Sequence, residues 1–219
     1  LQGDWSSDVC SSDLANDISL TNAFNDFQTL TLTQANNVTV LDANAIGLNT
    51  SDVDGLLNVT ASDISIAAGQ LVTAGSLTFS AGGIATGTIT LNDLLTTDTG
   101  GMTFDNASLL DVNAGLNSAG SISVTSTALL ELQPSEISSF GDIDFSGATA
   151  ITIEGSGTVV LDANGDGDII LAPLTDGDAV ATTTSLRLEA EGAVSVTSID
   201  MLDGAAATSG DLTILFDDG

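Results

Sequence analysis

The stretch Asp162-Ala163-Asn164-Gly165-Asp166-Gly167-Asp168-Ile169 holds the residues whose types and spacing could do chemistry. Side-chain oxygens at positions 1, 3, 5 and 7, glycine at 6 and an aliphatic at 8 match the first half of a twelve-position calcium loop. Calcium takes six to eight hard oxygens, and three carboxylates, an amide and a backbone carbonyl supply much of that set. The metal candidates are therefore Asp162, Asn164, Asp166 and Asp168, with calcium as the only cofactor suggested. Against this, Pro173 stands at the twelfth position, where a bidentate acid belongs, and both flanks alternate like strands. The same residues also read as an Asp/Gly-rich turn between Leu161 and Ile169.

Other chemistry is thinner. Carboxylate pairs such as Asp142/Asp144 or Asp52/Asp54 could serve a polysaccharide hydrolase. With 30 acids along the chain, however, accidental pairs are inevitable. A lyase-type site would also place an anionic sugar with Lys or Arg, and Arg187 is the single basic residue, with Glu189 and Glu191 beside it. The expectation is that the protein is not an enzyme. Thr29, Thr31 and Thr33 alternate with Leu30 and Leu32, and single threonines recur at Thr78, Thr90, Thr103 and Thr152. A flat threonine array would suit an ice-binding surface, but threonine is also a good strand former on any solvated face. Sequons at Asn37-Val38-Thr39 and Asn58-Val59-Thr60 are within chance for so Asn- and Thr-rich a chain.

Composition removes several functions. The formal charge is −29, so phosphate recognition of nucleic acid and electrostatic adhesion to anionic lipid both lack their cations. There is no histidine, which removes imidazole catalysis and His-ligated zinc or haem. No run of 18 apolar residues exists to span a membrane as a helix. High charge with few aromatics can signal disorder, yet the charged fraction is only 14% and apolar residues alternate regularly. Two carboxylates ~10 Å apart in water repel by ~0.4 kcal/mol. Burying one Val or Leu contributes roughly 1.5–3 kcal/mol, so a core prevails.

The elements that would position any site repeat. Gly101–Val112, Gly120–Leu132 and Gly141–Ile153 share one skeleton: an opening glycine, an apolar-x-apolar triplet, and a second triplet about eight residues on. Similar triplets run from Leu30–Leu32 through Val38–Val40, Ile46–Leu48 and Leu77–Phe79 to Leu212–Ile214. Their outer residues share one face of a strand and the polar middle residue takes the other. A return every ~20 residues argues for stacked coils. The fold class expected is all-β, a parallel β-helix with two or three short strands per coil. About ten coils, stacked at ~4.8 Å, would make a rod roughly 50 Å long. Buried stacks containing Val112, Val124 and Phe145 should carry its stability. Residues 173–184 and 203–210 are expected to bulge as loops.

Asp4–Leu14 (DWSSDVCSSDL) fits none of this and resembles, codon for codon, the translation of a common sequencing-library adapter. The division expected is an artefactual leader over 1–14, carrying Cys10 and Trp5, and one β-solenoid over 15–219 that is a fragment of a longer chain.

Three further segments stand in order: Asn25–Phe27 (NDF), Ala35–Ala45 (ANNVTVLDANA) and Gly55–Ala61 (GLLNVTA). This wording resembles the repeat regions of filamentous-haemagglutinin-like exoproteins and autotransporter-like adhesins of bacteria, clearly over about 75 residues and more loosely beyond. The resemblance implies a right-handed parallel β-helix that is secreted or displayed on the bacterial outer surface. Its implied role is that of an adhesive or stalk-like rod. Expected partners are a host or neighbouring-cell surface protein or glycan, and neighbouring coils of the full-length chain; nucleic acid and direct membrane insertion are not expected. Polysaccharide-degrading, polysaccharide-binding and ice-binding β-helices remain the alternatives.

Overall fold

The computed structural model describes residues 13–14, 17–82, 86–176, 184–200 and 211–216, and every regular element among them is a β-strand. All pairings are parallel. The chain winds as a β-solenoid of about eight turns, with stacked coils about 21 residues apart. The expectation of about ten coils was too high because insertions lengthen several laps; 26 residues separate Asp142 from its neighbour Asp168 on the next coil.

Each coil passes through three faces. Face 1 contains Gln34–Ala35, Leu95–Thr97, Leu116–Ser118, Glu136–Ser139, Gly157–Ala163, Thr184–Ala190 and Leu212–Phe216. Face 2 contains Ile18–Leu20, Val38–Leu41, Met102–Asp105, Ile122–Val124, Ile143–Phe145, Ile169–Leu171 and Val194–Val196. Two long strands, Ser51–Ala61 and Val72–Ala81, run from face 1 onto face 2 and join them into one seventeen-stranded sheet. Face 3 is a separate nine-stranded sheet from Thr29–Leu30 to Ile199–Asp200. Leu174–Asp176 belongs to it and Thr184 opens a strand of face 1, so residues 174–176 and 184 of the segment expected as a loop over 173–184 are strand; residues 177–183 lie outside the described residues. Residues 203–210, Cys10 and Trp5 lie outside the described residues. Asp13–Leu14 pairs in parallel with Gln34–Ala35.

Why the coils stack follows from the triplets. A parallel ladder places identical positions of successive coils side by side, so one apolar column per inward position builds a continuous core. On face 3, Ile46, Ile64, Ile89, Leu110, Leu130, Ile151 and Leu174 stand in successive register. All are buried. On face 2, Phe79 lies beside Phe104, their rings 6.2 Å apart and inclined at 68°. This edge-to-face geometry sets a positive ring edge on a negative ring face. Val112, Val124 and Phe145 are buried as expected.

The turn from face 1 to face 2 is made by glycine, which explains the glycine that opens each repeat. A Cβ on Gly120 would come 2.8 Å from the Gly101 nitrogen of the preceding coil. One on Gly101 would strike the Ser121 carbonyl oxygen, and one on Gly167 the Gly141 carbonyl oxygen. Backbones at this corner approach too closely for any side chain.

Candidate functional site

Face 1 carries the feature that the triplet pattern passed over. Its strands Leu95–Thr97, Leu116–Ser118 and Glu136–Ser139 point one aliphatic inward, but the second inward residue is Thr97, Ser118 or Ser139. These buried hydroxyls are satisfied locally. Thr97 Oγ1 and Ser118 Oγ are 2.9 Å apart, and Thr97 donates to the Gly100 carbonyl at 2.7 Å. Ser139 donates to the Gly141 carbonyl at 2.5 Å. Each hydroxyl thus ties the end of its strand to the glycine corner. An apolar-x-apolar search misses such strands because their second inward residue is polar.

Outside these strands lies a groove of about 480 Å³. Its floor is the outward column Thr96, Asn117 and Ser138, one side chain per rung. Phe140 forms one wall and is 67% exposed. The Asn164 side-chain amide donates to Asp162 Oδ2 at 3.1 Å and to Ser138 Oγ at 3.4 Å, which closes the end of the groove. A second hollow of about 310 Å³ continues from Asn117 and Ser138 toward Leu94 and Glu136. Phe140 is seated by the next coil. A Cβ on Gly165, whose φ is +64°, would come 3.0 Å from the Phe140 ring. The Gly165 turn therefore leaves the space in which the ring lies.

The predicted calcium residues fall on two sides of a corner. Asp162 projects from face 1, in register between Ser138 and Glu189. Asn164 N–H donates to the Ser139 carbonyl at 2.8 Å, and Asp166, at φ 65°, donates its N–H to Glu191 Oε2 at 3.0 Å. Asp168 accepts the Ala193 N–H, and its own N–H donates to Asp142 Oδ1 at 2.9 Å. Among the described residues no three carboxylates converge where they could hold a metal ion. The chemistry visible there is a ladder: a side-chain oxygen on one coil accepts the backbone N–H of the next. Ser121 Oγ to Asp142 N (3.1 Å) extends it, and Asn37 Oδ1 to Leu56 N (2.9 Å) repeats it nearer the N-terminus.

The remaining candidates are equally local. Asp144 Oδ1 accepts the Ser146 N–H at 2.9 Å, a turn contact that leaves Asp142 in the ladder. Asp52 is exposed on face 1, beside Thr73 on the next rung. Arg187 pairs with Glu189, two residues on and on the same outward face. Thr78 and Thr103 are adjacent on face 2, but on face 3 Asp111 and Glu131 intervene between Thr90 and Thr152. Burial holds the Glu131 carboxyl above its ordinary value, helped by the negative charges of Glu154 and Asp111. The amides of Asn37 and Asn36 lower that of Asp17, and the N–H groups of Leu94 and Gly69 lower that of Asp93. No helix among the described residues is long and apolar enough to cross a membrane. No protein-family model, curated protein or solved structure matches this chain.

Proposed function

We propose that this chain is a segment of a structural and adhesive rod in a secreted or surface-displayed bacterial exoprotein of the filamentous-haemagglutinin-like kind. One observation supports the reading above others: three parallel ladders continue from coil to coil, with an aliphatic interior and polar outward columns. Such a stack gives length and stiffness from a short repeating rule, and each added coil extends it by ~4.8 Å. The nine strands of face 3 are separated by eight steps, which give a rod of roughly 40 Å from this segment alone. The charge of −29 keeps its surface soluble and turns it away from nucleic acid and anionic lipid.

The test has two readings. Small-angle scattering should give one long dimension set by the coil stack. Beads coated with the chain should attach to a panel of animal and bacterial cells more than beads coated with an acidic globular control. Attachment no better than the control across the panel would remove the adhesive part; a near-spherical scattering profile would remove the rod.

A further inference from the structure

The groove on face 1 has a chemistry that narrows the ligand. Thr96 and Asn117 make no side-chain hydrogen bonds among the described residues, so a hydroxyl and an amide face solvent with donors and acceptors free. Ser138 lies on the next rung, and Asn164 with Asp162 stands at the end. Along one wall the exposed Phe140 ring is held against the Gly165 turn. An aromatic face beside a row of hydroxyl and amide groups suits a pyranose. Sugar C–H groups carry slight positive charge and rest on the negative ring face, while the hydroxyls meet side-chain donors and acceptors.

Spacing and charge choose among sugars. Rungs repeat at ~4.8 Å, close to the advance of one pyranose in an extended polysaccharide, so successive sugars would meet equivalent side chains on successive coils. No cation lines the groove, Asp98 lines it and Asp162 stands behind Asn164 at its end, and the molecule as a whole is strongly negative. Uronate or sulfated sugars would therefore be repelled. We propose that the groove over Thr96, Asn117 and Ser138, with Phe140 as its platform, binds a short stretch of uncharged polysaccharide laid along the rod axis. The inference names a ligand class for the adhesive reading above and rests on it.

Affinity electrophoresis of the full chain in gels containing hydroxyethylcellulose, galactomannan or mixed-linkage β-glucan tests it, with polygalacturonate and heparin as anionic controls. Retardation is expected in at least one neutral gel, little changed by added salt, and absent in the anionic gels. Phe140→Ala and Asn117→Ala should each weaken it tenfold or more. Both side chains are exposed, so circular dichroism and melting should match the parent. Retardation by anionic gels only, or equal retardation of parent and Phe140→Ala, would overturn the groove assignment, as would none in any gel. If beads still attach to cells in those cases, the adhesive reading stands without the groove; if they do not, both fall.

Discussion

Asp168 Oδ1 accepts the backbone N–H of Ala193, one coil further on, at 2.6 Å. The residue that sequence spacing nominated as a metal ligand is thus a rung between coils. Asp168→Ala leaves that exposed N–H to water and should destabilise by about 1 kcal/mol, the usual net contribution of a hydrogen bond. Asp168→Asn keeps an acceptor oxygen, as Asn37 does at its own rung, and should lose much less. Urea denaturation of the two variants side by side checks the ordering.

Calcium can be tested directly at the same turn. With the carboxylates of Asp162 and Asp168 on different sides of a corner, titration calorimetry to millimolar calcium is expected to show no saturable heat. Saturable heat that disappears in Asp162→Asn would assign calcium to the loop.

The glycine corner predicts a steric effect. Gly101→Ala would drive a methyl group into the Ser121 carbonyl oxygen, which is backbone and cannot rotate aside. The loss should be about 1–3 kcal/mol, the usual range for overpacking. Gly69→Ala is a control of a different kind, since nothing lies near its Cβ and only its positive φ is strained. Melting temperatures of both variants separate crowding from backbone strain.

Glu131 predicts a pH dependence. It lies between Asp111 and Thr152 on the outside of face 3, and its folded-state pKa is raised. A raised carboxyl favours the fold when protonated, so its contribution is present below the unfolded value and lost as pH rises through the folded one. Glu131→Gln should therefore melt higher than the parent at pH 7, and the gap should close below about pH 4.3, the ordinary glutamate value. Asp17 and Asp93 shift the other way, so the difference between parent and variant is the quantity to follow. A gap that widens on acidification would contradict this.

Thr127 is buried, and its Oγ1 has no hydrogen-bond partner among the described residues. Its neighbours in register are Ala107 and Ala148. Thr127→Val keeps the shape and removes a desolvated hydroxyl, so it should stabilise by about 1 kcal/mol or more. A lower denaturation midpoint would show that the hydroxyl is satisfied in solution.

The alternation of Ile151-Thr152-Ile153 and its sister triplets determined strand, inward face and parallel stacking from sequence alone. One rule, aliphatic in and polar out with a glycine at the corner, leaves few other ways to bury those side chains. The first face was legible only in part. Thr97, Ser118 and Ser139 occupy inward positions, and their burial depends on carbonyls at Gly100 and Gly141 that become neighbours only once the corner is formed. Register between coils likewise joined Thr96, Asn117 and Ser138, about 21 residues apart in the chain, into one column. Local sequence fixes which way a side chain points along its own strand; which side chains share a groove depends on the length of every lap between them, and insertions such as that between Asp142 and Asp168 set that length only in three dimensions.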